Sequence, residues 1–260
     1  DPNSEINALN IEKMRVVSLE LFNLINKAKR ISHVTNGTFD ITIAPILKKN
    51  GFYEDMPEEI RDKIPDDFSG VGIKNVILRL DNSVRLRNGA WIDLSGIAKG
   101  NIVDNMMAYF RGKGIKNVLI NAGGDLYCAG EGEGRPWIVG VREPGSDRIL
   151  LTLAVRDMAV ATSGDYENVV IDERTGEVIS HIIDPFRERP IKEKFYSVTV
   201  IAPTCTDADA LATGMMVMDK DAAIALADEI KDVSIIVIKT SGDENSIFFS
   251  KGAKEYLAKR

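Results

Sequence analysis

Strand-like runs in this chain come in pairs, and the turns between them are too short for anything but hairpins. Residues 75–80 and 83–87 flank Asp81-Asn82, residues 168–172 and 177–182 flank Arg174-Thr175-Gly176, and the run from Asn117 breaks at Gly123-Gly124 before it resumes. Parallel neighbours need a long crossover, so these pairs can only be antiparallel. Residues 137–142, 150–155, 160–163 and 196–201 supply further short strands, and 233–239 with 246–250 form a closing hairpin. Helical patterns stand in separate blocks. They cover residues 11–31, where Val16, Leu19, Leu24 and Ile31 share a face, then 97–111, stopped by Gly112 and Gly114, then 206–218 and 221–230. Strand and helix do not alternate regularly. The expected class is therefore α+β, with a mainly antiparallel sheet and packed helices. Residues 35–40 read as a turn, and the acidic, proline-bearing residues 53–69 as a surface excursion. No repeat, low-complexity tract or clear linker divides the 260 residues, which are expected to form one domain, 1–260.

Composition narrows the function classes. A net charge of −6 without a Lys/Arg run argues against a nucleic-acid partner. No stretch approaches the roughly 18 uninterrupted apolar residues of a membrane span. The two cysteines, Cys128 and Cys205, sit among apolar neighbours and read as buried thiols or as one disulfide. No CxxC or Cys/His cluster suggests structural zinc.

Three segments can carry chemistry. In Trp91-Ile-Asp-Leu-Ser-Gly-Ile-Ala-Lys-Gly100, a strand ending at Asp93 and a helix beginning after Ser95 would offer backbone N–H groups to an anion, with Lys99 adding charge. A capped helix with a surface lysine is the alternative. In Thr206-Asp-Ala-Asp-Ala-Leu-Ala-Thr-Gly214, Asp209 and Thr213 are four apart and share a helical face. A carboxylate and a hydroxyl are hard oxygen donors suited to magnesium beside a phosphate. The alternative is an Asp cap on an Ala-rich core helix, with Asp207 as the other capping candidate. In Thr162-Ser-Gly-Asp-Tyr166 and His181-Ile-Ile-Asp-Pro185, His181 and Asp184 can orient around a substrate hydroxyl. His33 reads as structural. Asn121-Ala-Gly-Gly-Asp125 is glycine-rich but not GxGxxG, and neither a P-loop nor a GxSxG elbow is present.

Together these segments are far more specific than any one alone. Gly37-Thr-Phe-Asp-Ile-Thr-Ile-Ala-Pro, Asp93-Leu-Ser-Gly-Ile-Ala-Lys-Gly, Asn121-Ala-Gly-Gly-Asp, Ser163-Gly-Asp-Tyr, His181-Ile-Ile-Asp-Pro and Asp209-Ala-Leu-Ala-Thr occur in this order. In that order they resemble the ApbE family, the FAD:protein FMN transferases, over nearly the whole chain. The resemblance implies a T-fold-like architecture, a deep FAD site and a magnesium ion. It implies Asp209, Thr213 and the Gly96 carbonyl as metal ligands, with Ala212 beside the metal. It maps flavin contacts to Thr38, Phe39, Asp40, Asp93, Lys99 and Ile191, and sets His181 near the diphosphate.

The implied reaction is Mg2+-dependent transfer of FMN from FAD to a Thr or Ser hydroxyl of an acceptor protein, releasing AMP. Lys99 would offset charge, and His181 would accept the hydroxyl proton, with Asp184 or a water as the alternative base. The family's acceptors resemble flavin-bearing subunits of membrane redox complexes. The family works on the outer face of the bacterial cytoplasmic membrane or in the periplasm, often as a lipoprotein. Its N-terminal stretch would precede Ser4-Glu-Ile-Asn-Ala-Leu-Asn and is absent from these 260 residues. Two other functions fit the same site: a Mg2+-dependent FAD pyrophosphatase yielding FMN and AMP, and a non-catalytic FAD-binding protein.

Overall fold

Left-handed turn residues set the hairpins of this chain, and they fall where the sequence places them. Asn82 takes φ +59° between two paired strands, and Asp81 accepts from both the amide and the hydroxyl of Ser83. The computed structural model describes residues 3–166, 169–171, 176, 178–192, 196–242 and 244–259. The chain folds into two compact units, Asp1–Leu94 with Asn168–Lys192, and Ser95–Glu167 with Glu193–Arg260. No composition shift marks this partition, and the single-domain reading does not anticipate it.

The first unit opens with α1 (Glu5–Glu12), β1 (Met14–Val16) and α2 (Leu19–Val34). This replaces the single helix expected over residues 11–31. Lys13 adopts φ +63° and closes α1 through its N–H to Leu9 O, and Ser18 caps α2 by accepting from Leu21 N. Val16 and Leu19 are consequently 65% and 62% exposed, and the buried stripe is Leu24, Ile25, Ala28 and Ile31. α3 (Ala44–Lys49) and α4 (Glu58–Arg61) follow. The 53–69 excursion is anchored inward, because Ile60 and Ile64 pack with Ala44 and Trp91. β2 (Val76–Leu78) and β3 (Ser83–Leu86) complete a three-stranded sheet in the order β1-β3-β2. Trp91–Asp93 is not the expected strand. The Asn10 side chain clamps Ile92 on both sides, accepting its N–H at 2.7 Å and donating to its carbonyl at 2.8 Å, while Asp93 N donates to Ile41 O. These bonds satisfy the buried backbone without a ladder.

The second unit starts with α5 (Ser95–Gly112), β4 (Val118–Ala122), β5 (Asp125–Ala129), β6 (Trp137–Arg142), β7 (Ile149–Val155) and β8 (Met158–Gly164). The returning chain adds two short hairpins to the first unit. β9 (Val170–Ile171) pairs with β10 (Val178–Ile179), and β11 (Ile183–Asp184) with β12 (Arg189–Pro190). Arg174 and Thr175 of the expected turn lie outside the described residues. Ile183 packs with Ile46 and Leu47.

Back in the second unit, β13 (Tyr196–Ala202), α6 (Cys205–Met216), α7 (Lys220–Glu229), β14 (Ser234–Ser241) and β15 (Glu244–Phe249) follow. Six strands form one antiparallel sheet in the order β15-β14-β13-β8-β5-β4. Every residue of β13 is buried, which its β-branched run requires of an interior strand. Leu126, Val160, Ile201 and Ile236 of the sheet pack with Val139, Val141, Leu153 and Val155 of the β6–β7 ribbon. α6 packs on β8, β13 and α5. Cys128 and Cys205 are buried free thiols, and burial pushes Cys128 up to about 12.

α5 and α6 approach so closely that Gly100 has no room for a side chain, since an added Cβ would lie 2.3 Å from the Cys205 carbonyl oxygen. Gly100→Ala is expected to lower unfolding free energy by about 1–3 kcal/mol through overpacking. Gly112→Ala on the same helix, where a Cβ meets nothing within 4 Å, is expected to raise it by up to about 1 kcal/mol. Urea denaturation of both variants measures the contrast, and equal effects would contradict this account of the crossing.

Candidate active site

The start of α6 is fixed before its chemistry begins. Thr204 caps the helix by accepting from Asp207 N at 3.1 Å, and its hydroxyl donates to Asp207 Oδ2. Asp104, one turn along α5 from Gly100, accepts from Cys205 N at 2.8 Å, Thr206 N at 2.9 Å and the Thr206 hydroxyl at 2.5 Å. Three donors at a helix start are thereby satisfied by one carboxylate. Asp207 belongs to the cap and Asp209 does not.

Asp209 lies one turn into α6 and is buried. Its Oδ2 accepts from Gly100 N at 2.9 Å. Thr213 follows one turn later, with its hydroxyl 3.2 Å from Asp209 O and 3.4 Å from Ser163 Oγ. Ala212 between them is fully buried. A second buried acid, Asp125 at the head of β5, pairs with Lys99 at 2.7 Å. Burial raises Asp209, the charge of Asp125 raises it further, and the Gly100 amide and Lys99 oppose both, leaving it at about 7. Burial raises Asp125 as well, against the pull of Lys99. Among the described residues no three of His, Cys, Asp and Glu cluster as metal ligands. A cation on α6 would therefore be held by mixed oxygen donors, and the carboxylate of Asp209 and the hydroxyl of Thr213 supply that hard-ligand chemistry.

The first unit carries the other expected positions. Thr35 ties the Thr38–Phe39 turn, because its carbonyl accepts from the Thr38 hydroxyl at 3.0 Å and its Oγ1 accepts from Phe39 N at 3.2 Å. Asp40 accepts hydrogen bonds on both carboxylate oxygens. Oδ1 accepts from the Thr42 amide and hydroxyl and Oδ2 from Ile73 N, while burial raises its proton affinity against those bonds. Phe39 is buried. Tyr53 donates a short hydrogen bond to Asp93 Oδ2, and burial together with the Asp93 charge raises the phenol well above its usual value. His181 is half-buried just ahead of β11, and Ile191, also half-buried, donates its N–H to Ile182 O. Asp184 is occupied in a turn: Oδ1 accepts from Phe186 N at 2.9 Å and Arg187 N at 3.0 Å, with Arg187 Nε 3.6 Å from Oδ2. Both amide bonds fall on Oδ1, and Oδ2 faces the Arg187 side chain.

Sequence reasoning missed Asp104, Asp125 and Tyr53. Asp104 carried one usable signal, its four-residue spacing from Gly100 on one helix face.

Asp209 has a stability signature. The folded chain holds this proton more tightly than the unfolded chain, where the group titrates near 3.8. Its stabilising contribution is then complete at low pH, declines as pH rises from about 4, and is lost above about 7. In metal-free buffer the melting temperature of the wild type is expected to fall relative to Asp209→Asn across that window and to stay parallel above it. A constant offset throughout would contradict the raised proton affinity.

Residues 1–237 match the model of the ApbE family. The chain is 32% identical over 252 residues to the FAD:protein FMN transferase of Vibrio cholerae, covering 94% of this chain and 74% of that protein. The crystal structure of the Thermotoga maritima ApbE protein matches with a TM-score of 0.87 at 30% identity, covering 100% of this chain and 85% of that one. The Vibrio cholerae flavin transferase ApbE matches with a TM-score of 0.82 at 30% identity, covering 99% and 84%. The antiparallel α+β architecture expected from the motifs is thus found in solved proteins that carry the family's name, and the chain belongs to the ApbE family.

Proposed function

We propose that this chain transfers FMN from FAD to a Ser or Thr hydroxyl of an acceptor flavoprotein, in a magnesium-dependent reaction that releases AMP. The observation that best supports this is the hydrogen bond from Gly100 N to Asp209 Oδ2. In a regular helix that N–H serves the carbonyl four residues back, which is Gly96. The bond to Asp209 sets that same turn of α5 against α6, so the Gly96 carbonyl would be the oxygen that joins Asp209 and Thr213 around the ion. The two buried acids, Asp125 and Asp209, outnumber their lysine partner. Such a cluster favours an added cation, and its hard oxygens suit magnesium.

Asp209, Thr213 and the Gly96 carbonyl would hold magnesium, which would supply positive charge against the charge that builds on the diphosphate during transfer. The acceptor hydroxyl oxygen forms a bond to the FMN-side phosphorus. The bond from that phosphorus to the bridging oxygen breaks, and AMP leaves with that oxygen. His181 takes the hydroxyl proton, with Asp184 or a water as the alternative base. Lys99 adds positive charge at the diphosphate. Thr38, Phe39, Asp40, Asp93 and Ile191 contact the flavin. The acceptor is a flavin-bearing subunit of a membrane redox complex, met at the outer face of the cytoplasmic membrane or in the periplasm.

Mass spectrometry of an acceptor after incubation with this chain, FAD and magnesium tests the reading. An FMN adduct is expected, and Asp209→Ala is expected to reduce its rate by about 100-fold or more, the scale of several kcal/mol that a bound metal supplies. An adduct undiminished in the variant would refute the metal assignment. AMP release without an adduct would mark a pyrophosphatase, and intact FAD a binding protein.

A further inference from the structure

The glycine turn between β4 and β5 ends on a buried acid that the proposed reaction uses only for its charge. Asp125 is the first residue of β5 and only 2% exposed, whereas the Lys99 side chain it pairs with at 2.7 Å is 49% exposed. The turn holds Asp125 in place through backbone geometry. Gly123 and Gly124 take φ +67° and +105°, and Asn121 Oδ1 accepts from Gly124 N at 2.9 Å. A Cβ at either glycine would meet open space, so torsion alone asks for glycine there. From Asp125 onward the chain is locked into β5, paired with β4 on one side and β8 on the other. The acid is thus the rigid member of the pair and the lysine the mobile one. A lysine is a point charge on a flexible stem, and a fixed, buried partner removes most of that freedom. A charge fixed in advance counts for more in a transfer reaction, because nothing has to reorganise as the transition state forms.

We propose that Asp125 is a positioning residue for FMN transfer, one that fixes the Lys99 ammonium where an incoming diphosphate meets it already in place. The inference rests on the reading of this cluster as the diphosphate site. Asp125 is assigned no contact of its own with substrate or metal. It acts through Lys99, so the consequence of losing it must depend on Lys99 being present.

A double-mutant cycle on the full chain tests that dependence, with Asp125→Asn, Lys99→Met and the double variant assayed for FMN transfer over a range of FAD concentrations. Asp125→Asn is expected to lower kcat by about 10- to 100-fold, the range for groups that orient an active residue. In the Lys99→Met background the same change is expected to cost less than about 3-fold, because the two groups act as a unit. Equal losses in both backgrounds would overturn the proposal, since they would indicate a role in folding or elsewhere in the cluster.

A second readout does not need turnover. Acetic anhydride labelling of Lys99, followed by peptide mass spectrometry against the other lysines, reports how firmly the amine is held as ammonium. Asp125→Asn is expected to speed Lys99 labelling several-fold, and Asp125→Glu to keep it slow. Unchanged labelling in Asp125→Asn overturns the proposal. Faster labelling in a chain whose wild type forms no FMN adduct would refute the transfer reading alone.

Discussion

The crossing of α5 and α6 at Gly100 is the contact on which the rest of the second unit depends. With no side chain at that position, the backbone of α5 comes against Cys205 and Thr206. Two consequences follow from the same approach. The Gly100 amide reaches Asp209, and Asp104 reaches the first amides of α6. Both bonds lie at this close approach, where a side chain at position 100 would meet the Cys205 carbonyl. The site is therefore assembled by helix packing, and the hydrogen bonds lock a geometry that the missing side chain permits.

Burying two carboxylates in this cluster is unfavourable on desolvation grounds, and a single lysine offsets only part of it. Asp209 answers by holding its proton up to about 7. Asp40 and Asp184 show the opposite arrangement. Asp40 accepts backbone amides on both oxygens, from Thr42 beside it and from Ile73 33 residues away, and Asp184 accepts two amides of its own turn on Oδ1.

Much of this was legible in the sequence, for local reasons. Hairpins could be read because turn chemistry sits within a few residues: Asp81-Asn82 and Gly123-Gly124 announce themselves. The pairing of Asp209 with Thr213 followed from helical spacing alone. What failed depended on distant partners or on one torsion. Residues 11–31 looked like one helix because nothing in the pattern shows Lys13 turning left-handed. Trp91–Asp93 looked like a strand because its bonding partner is a side chain 82 positions away. Asp125 read as turn punctuation since its lysine lies on another element. The two compact units carry no mark in the pattern, because the chain passes between them without any change in composition.

That division also bears on how the chain can fold as it emerges from the ribosome. The first unit is discontinuous: Ile183 completes a core begun by Ile46 and Leu47, and β11 and β12 come from the returning segment. Those residues are made only after β4 through β8 of the other unit. An N-terminal portion that must wait so long for its last strands keeps apolar surface uncovered throughout synthesis, and closing so wide a loop is slow. During that interval the incomplete first unit is exposed to aggregation and to chaperones, so vectorial synthesis gives it no head start over the unit that follows.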